Sequence, residues 1–260
     1  MEAKIHWYDS VWLNKYLDAK ELISRICPSK LDEFVGRFNV LRTRPDFMVK
    51  ELKGLLNPEK LALVRNTINK ISMNKMELHE VKRFGRFVVH DHPVFLKMQA
   101  ELTDMVSELA EEDLEPCYNF LSLYTRLGIC EPHMDAPSAK WTLDICIDQS
   151  EPWPIHFSQI VAWPEVRRDL GLDWQQAIKN DPELRFESKI LEPGNAIFFA
   201  GSSQYHYRDA LPQTSTRGFC NLLFFHYIPK GTGELIKSKN WARLFDVPEL
   251  AEITGIENGG

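Results

Sequence analysis

Residues 141–147 read Trp-Thr-Leu-Asp-Ile-Cys-Ile, an alternation that predicts a β-strand with one apolar face and one polar face. The segment around Tyr124 alternates in the same way, with Ser122, Tyr124 and Arg126 on one face and mostly leucines on the other. Two arrangements fit this pattern. The polar faces line the interior of a barrel, where burying Arg and Asp is costly unless they are paired, or they face solvent in a two-layered sheet.

The rest of the chain places these strands in a β-rich half. After Pro116, seven or eight short segments rich in β-branched and aromatic residues are separated by turn signals, which predicts a sandwich or barrel. The first third instead carries apolar residues at helical spacing. We therefore expect one domain, residues 1–260. Its expected parts are mostly helical support (1–115), a β core (116–230) with a helical insertion near 164–179, and a C-terminal extension (231–260).

Composition limits the kinds of partner and compartment. Lys plus Arg is 31 and Asp plus Glu is 37, a net charge of −6, which disfavours duplex nucleic acid and anionic membranes as partners. The longest apolar run is five residues, far below the roughly 20 that a membrane helix needs. The first residues lack a signal-peptide pattern, and the five cysteines are scattered, as in a reducing compartment. We expect a cytoplasmic protein.

A candidate metal motif lies between the predicted strands. His133-Met134-Asp135 places an imidazole and a carboxylate two residues apart, on one face of an extended segment. Taken alone, such a pair is more often a structural hydrogen bond than a metal site. His206 follows in a later strand, after the turn Pro193-Gly194-Asn195 and an apolar segment. Arg217 comes 11 residues after His206.

This order of elements resembles that of the non-haem Fe(II)/2-oxoglutarate-dependent dioxygenase superfamily. The resemblance implies a mainly β fold with N-terminal helices, in which a double-stranded β-helix (jelly-roll, cupin-like) core is buttressed by α-helices. It also implies Fe(II) as cofactor, with 2-oxoglutarate and O2 as co-substrates. Two positions depart from the common pattern: Asn195 stands where Asp often follows Pro-Gly, and Gly218-Phe219 follows Arg217 where some members have Arg-x-Ser.

The resemblance assigns His133, Asp135 and His206 as the iron ligands. Two imidazoles and one carboxylate occupy one face of an octahedral ion and leave three adjacent positions open. By the same resemblance, 2-oxoglutarate takes two of these positions and O2 the third. A carboxylate at Asp135 favours hydroxylation over halogenation, because halogenating relatives have a small residue there.

Further side chains are candidates for holding the bound molecules. By resemblance, Arg217 grips the far carboxylate of 2-oxoglutarate, which suits its planar guanidinium. Tyr124 falls where related enzymes place a co-substrate-binding tyrosine, and Thr142 could supply the hydroxyl that Gly218-Phe219 lacks. His226, on the opposite parity to Arg217, is interpreted as a packing or surface residue. Weaker candidates for substrate contact are Arg126, Asp144, Arg208 and Trp153.

These assignments predict an Fe(II)/2-oxoglutarate-dependent hydroxylase that acts on an unactivated C–H bond of a small polar, amino-acid-like metabolite and releases succinate and CO2. The acidic pI and the charged candidates inside the barrel motivate the choice of a small substrate. Two alternatives stay open. One is a protein or peptide hydroxylase of the same superfamily, and the other is a cupin-type module that binds metal or ligand without turnover.

Overall fold

The computed structural model describes residues 10–165, 173–212 and 216–254. Its α-helices within these ranges are α1 (Ser10–Ile26), α2 (Leu31–Arg37), α3 (Pro58–Ile68), α4 (Val81–Phe84), α5 (Pro93–Glu101), α6 (Thr103–Ala110), α7 (Trp174–Lys179), α8 (Trp241–Leu244) and α9 (Leu250–Thr254). Its strands are β1 (Lys50–Leu52), β2 (Arg86–His90), β3 (Leu114–Thr125), β4 (Cys130–His133), β5 (Trp141–Gln149), β6 (Ile155–Phe157), β7 (Glu187–Lys189), β8 (Ala196–Phe199), β9 (His206–Arg208) and β10 (Phe219–Pro229).

The strands form two antiparallel sheets that make up a jelly-roll core. The larger sheet has the order β1-β8-β5-β10-β3-β2, and the smaller has the order β4-β9-β6-β7. The predicted helical support therefore also contributes two strands, because β1 and β2 form the two edges of the larger sheet. Part of the expected insertion, residues 166–172, lies outside the described residues, and α7 is its described helix.

The alternation in β5 decides which face of the large sheet is covered by helices. Trp141, Leu143, Ile145 and Ile147 belong to the apolar core shared with α3, α5 and α6. The opposite face points between the two sheets, and its Cys146 packs with Tyr124, Trp153 and Phe199 in a second cluster. The polar faces therefore line the interior, and the two-layered alternative with solvent-facing polar residues is wrong.

A third cluster joins the two ends of the described chain. Trp12 and Tyr16 of α1 and Phe34 of α2 pack against Trp241 and Phe245 near the C-terminus. The ring centroids of Trp12 and Trp241 are 5.4 Å apart with an edge-to-face angle of 88°, a favourable aromatic arrangement. None of the helices in the described ranges has the length and hydropathy needed to cross a bilayer.

Candidate metal centre

Three side chains from separate segments converge between the sheets. His133 ends β4 and lies directly opposite His206, the first residue of β9, in the strand register. His133 Nε2 is 3.5 Å and His206 Nε2 is 3.8 Å from Asp135 Oδ1. One ligand atom from each residue lies within 4.8 Å of the others. The structure thus brings together the three residues predicted as ligands, in the two-imidazole, one-carboxylate set that suits Fe(II).

Both imidazoles are oriented by backbone carbonyl groups. His133 Nδ1 is 2.7 Å from the carbonyl oxygen of Glu131, and His206 Nδ1 is 3.0 Å from that of Gln204. Each carbonyl lies two residues before its histidine, so an Nδ1–H donor there leaves the Nε2 lone pair facing Asp135. Such an anchor fixes the tautomer that a metal ligand requires.

The Asp135 carboxylate occupies a tight recess. Its backbone N–H donates to the Gly201 carbonyl at 2.8 Å, and Thr142 Oγ1 lies 3.4 Å from Asp135 Oδ2. A Cβ atom on Gly201 would lie 2.5 Å from the Ala139 carbonyl oxygen and closer still to the Asp135 carboxylate. Position 201 therefore needs glycine for close approach, because any side chain there would displace the carboxylate.

The charges of the three residues suit a divalent cation. Burial would raise the pKa of Asp135, but His206 and His133 hold it well below its usual range, so the carboxylate is ionised. Burial and the neighbouring His133 lower the pKa of His206 to about 4, which keeps this imidazole neutral. Burial opposes protonation of His133 as well, yet Cys130 and Asp135 raise its pKa to about 10. A metal ion bound there would displace that proton.

The three residues open onto a cavity of about 290 Å³. One part of its lining, here called the guanidinium end, consists of Arg86, Tyr124 and Arg208. Another part, here called the aromatic wall, consists of Tyr118, Phe120, Phe224 and His226. Tyr118 and Tyr124 are six residues apart on β3, which corresponds to about 20 Å of strand. The cavity therefore runs along the inner face of the large sheet.

Tyr124 and Thr142, the residues predicted to contact a bound co-substrate, both line this cavity. The Tyr124 hydroxyl accepts a hydrogen bond of 2.7 Å from Arg86 Nη1. Thr142 Oγ1 lies 3.0 Å from His226 Nδ1 as well as near Asp135. Burial raises the pKa of Tyr124, so its hydroxyl keeps its proton at neutral pH.

Arg217, the residue expected to grip the co-substrate, lies elsewhere. Its side chain is exposed and is not part of the cavity lining. Cavity-facing side chains in β10 are even-numbered, as Phe224 and His226 show, whereas Arg217 is odd-numbered and precedes the strand. The expected parity is therefore wrong: His226 faces the cavity instead of being a packing or surface residue, and Arg217 does not face it.

Of the four weaker substrate candidates, the structure places one on the cavity surface and three away from it. Arg126 is exposed and outside the cavity lining. Arg208 lines the cavity, but its Nη2 is 2.8 Å from Asp144 Oδ2, and the two side chains are 3% and 0% exposed. Trp153 is buried against Tyr124, with ring centroids 4.8 Å apart, and is likewise not part of the lining. The structure thus gives none of Arg126, Asp144 and Trp153 a place on the cavity surface.

The cavity residues that the sequence did not identify include Arg86 and His226. Arg86 of β2 is the register partner of Tyr124 of β3, and a pairing across 38 residues leaves no local signal. His226 is stacked on Tyr118 with ring centroids 4.2 Å apart, and burial lowers its pKa to about 4. The alternation of β10 could have identified His226 if the inward parity had been taken from Phe224.

Several solved structures resemble this fold. HygX from Streptomyces hygroscopicus with nickel, 2-oxoglutarate and hygromycin B bound has a TM-score of 0.53 at 11% identity, over 76% of this chain and 86% of that one. The α-ketoglutarate-dependent carbocyclase SnoK gives 0.53 at 13%, over 76% and 88%, and the epimerase SnoN gives 0.52 at 13%, over 81% and 90%. No model of a protein family matches the sequence, and no curated protein matches it significantly. At these identities the likeness shows a shared jelly-roll fold.

Proposed function

We propose that this protein is an Fe(II)/2-oxoglutarate-dependent oxygenase that hydroxylates a C–H bond of a small molecule. The observation that carries the proposal is the convergence of His133, Asp135 and His206 on one side of a cavity between the two sheets. The fold likeness supports it, because HygX binds nickel and 2-oxoglutarate and both SnoK and SnoN are α-ketoglutarate-dependent enzymes. The reaction balances as substrate, O2 and 2-oxoglutarate giving hydroxylated substrate, succinate and CO2.

Different residues of this chain would hold the iron, orient its ligands and exclude water. The two imidazoles and the carboxylate would hold the iron from one side, leaving the cavity side open for ligands. The carbonyls of Glu131 and Gln204 would keep both Nε2 atoms aimed at the ion. Ferrous iron with 2-oxoglutarate and O2 supplies the oxidising power for C–H cleavage in this class of enzyme. The apolar rings around the site would exclude water, which protects a reactive site from side reactions.

The cavity also bears on the class of substrate. A space of about 290 Å³ fits a small molecule. The amino-acid-like substrate predicted from the sequence depended on Arg126, Asp144 and Arg208, and the first is exposed while the other two pair with each other. We therefore propose a small molecule that places an apolar or flat surface against the aromatic wall, instead of one recognised mainly by charge.

A spectroscopic titration tests the proposal. Addition of Fe(II) and 2-oxoglutarate without oxygen should give a weak visible charge-transfer band, and admission of air should then produce succinate. His133→Ala should lose both signals while keeping its fold by circular dichroism. If the wild-type protein binds metal but forms neither the band nor succinate, the cupin-type binding module is the better description.

Hydroxylation can be separated from the other outcomes seen among proteins of this fold. In a screen of small metabolites with ¹⁸O2, a hydroxylated product should carry one labelled oxygen atom. A product with two fewer hydrogen atoms and no label, or an epimer, would contradict hydroxylation. Turnover confined to peptides or proteins would favour the protein-hydroxylase alternative.

A further inference from the structure

The guanidinium end contains a guanidinium group with unused hydrogen-bond donors. Arg86 has five N–H groups, and two of its nitrogen atoms have recorded partners. Nε contacts the Glu80 carboxylate, and Nη1 donates to the Tyr124 hydroxyl. No hydrogen bond from Nη2 is found among the described residues. The Nη1–Nη2 end of the guanidinium, here called the fork, therefore keeps N–H donors that lack an acceptor within the described ranges, although the Arg86 side chain is only 11% exposed.

The Tyr124 hydroxyl provides a further donor beside this fork. Its oxygen accepts from Arg86, so its own proton must point in another direction. No acceptor for that proton is present in the described part of the chain. Burial keeps Tyr124 protonated, and its ring is held edge-to-face by Trp153 at 4.8 Å. Two neighbouring side chains thus present donors, and an anion in the cavity would satisfy both.

Arg208, the other guanidinium of this end, is paired with a buried carboxylate. It donates to Asp144 and to the carbonyl of Trp153, and its guanidinium carbon lies 5.1 Å from the centroid of the Trp153 ring. Asp144 is completely buried and has no other basic partner recorded, so drawing Arg208 away would leave an uncompensated buried charge. In Arg86 the carboxylate of Glu80 occupies the Nε edge and leaves the fork open.

The fork and the candidate metal centre face the same space. Arg86, Tyr124 and Cys130 line one cavity together with His133, Asp135 and His206. Cys130 Sγ is 3.9 Å from His133 Nδ1. Cys130 lies opposite Arg208 in the strand register, as His133 lies opposite His206. A short diacid can therefore extend from the metal centre to the fork.

We propose that Arg86 and the Tyr124 hydroxyl bind the far carboxylate of 2-oxoglutarate, in the role that the sequence interpretation gave to Arg217. This assignment rests on the proposed function. The anchor would come from edge strand β2, before the core motif, instead of from the segment that follows His206. The two terminal nitrogen atoms of the Arg86 guanidinium can each donate one hydrogen bond to a carboxylate, and the Tyr124 O–H adds a third donor.

Calorimetric titration can test this assignment without turnover. The Mn(II)-loaded protein is titrated with 2-oxoglutarate and with 2-oxopentanoate, which has a methyl group in place of the far carboxylate. Arg86→Gln should weaken 2-oxoglutarate binding at least about thirtyfold, the equivalent of about 2 kcal/mol for one partner of a charged pair. Its affinity for 2-oxopentanoate should change by no more than about twofold.

Further variants exclude a general structural effect. Tyr124→Phe keeps the ring and should weaken the binding of 2-oxoglutarate alone, by about three- to tenfold. Arg217→Gln and the surface variant Arg243→Gln, which breaks an exposed pair with Glu234, should leave both affinities unchanged.

Three results would overturn the assignment. These are selective loss of 2-oxoglutarate binding in Arg217→Gln, equal weakening of both ligands in Arg86→Gln, and no selectivity in Tyr124→Phe. If the wild-type protein binds neither ligand in the presence of metal, the proposed function fails instead, and that outcome is distinct from all three.

Discussion

The guanidinium end and the aromatic wall of the cavity touch, since the Arg86 guanidinium lies 5.4 Å from the Phe120 ring, but they differ in charge and in hydrogen-bonding groups. The first presents Arg86 and the Tyr124 hydroxyl, with donors that have no recorded acceptor. The second presents stacked rings, such as Phe120 and Phe224 at 4.9 Å, which offer apolar surface and few hydrogen bonds. Because one carries positive charge and the other does not, we expect them to receive chemically different molecules, a diacid and an apolar or flat substrate.

The metal centre is what the two regions share, and removing a ligand should therefore affect both. Asp135→Ala should weaken metal binding by more than the roughly 10–100-fold that loss of an outer partner costs, and 2-oxoglutarate binding should disappear with it. Calorimetry with Mn(II) measures both effects. Asp209→Ala is a matched control, since Asp209 is also 3.5 Å from a histidine, His156, but lies outside the cavity lining. Equal metal affinity in the two variants would contradict the assignment of the ligands.

A change that leaves every ligand in place should act through the position of the carboxylate. Gly201→Ala introduces a Cβ into the recess of Asp135, so we expect about a 10–100-fold loss of metal affinity and about 1–3 kcal/mol of stability. The control is Gly36→Ala in α2, where nothing lies within 4 Å of the added Cβ. This variant should gain up to about 1 kcal/mol of stability, because alanine favours helices over glycine. Unchanged metal affinity in Gly201→Ala would show that the recess does not determine the position of the Asp135 carboxylate.

The hydroxyl of Thr142 connects the metal centre to the aromatic wall through His226. Thr142→Val keeps the shape but removes the contacts to Asp135 and His226. We expect about a tenfold loss of metal affinity, and about 1–3 kcal/mol of stability from the unpaired buried nitrogen of His226. Thr67→Val, which removes a hydroxyl bonded to the Leu63 carbonyl in α3, should leave metal affinity unchanged. Thermal unfolding with and without Mn(II) gives both quantities.

The smallest effect tests whether the two regions are independent. Phe224→Ala truncates a ring of the aromatic wall whose neighbour Phe120, 4.9 Å away, lies 5.4 Å from the Arg86 guanidinium. The affinity for 2-oxoglutarate should stay within about twofold of wild type, because Phe224 has no hydrogen-bond donor to offer the diacid. Phe219→Ala, at an exposed position of the same strand, controls for the loss of a ring from β10. A fall in 2-oxoglutarate affinity as large as that expected for Arg86→Gln would show that the aromatic wall also binds the diacid.

Much of the fold could be predicted from the alternation of apolar and polar residues along single strands. The faces of β5 are as its sequence predicts, with Trp141 and Leu143 on the helix side and Thr142 and Asp144 inside. The spacing of His133 and Asp135 likewise depends only on local geometry. His206 could be added because an apolar strand and a Pro-Gly turn preceded it. Each of these signals lies within a short stretch of the sequence.

Features that depend on pairing between distant strands could not be predicted in this way. The register of Arg86 with Tyr124 joins an edge strand of the N-terminal third to the core. Arg217 precedes β10, and the pairing of that strand with β5 shifts register between Asn221 and Leu222, so its orientation could not be extrapolated from spacing. The three-residue strand β1 is too short to show an alternation.

A crystal structure with Mn(II) and 2-oxoglutarate, grown without oxygen, would locate both the metal ion and the diacid. We expect one metal ion coordinated by His133 Nε2, His206 Nε2 and an oxygen of Asp135. We also expect the far carboxylate of 2-oxoglutarate to lie within hydrogen-bond distance of Arg86 and Tyr124. A metal ion bound elsewhere, with the two imidazoles uncoordinated, would rule out the proposed metal centre.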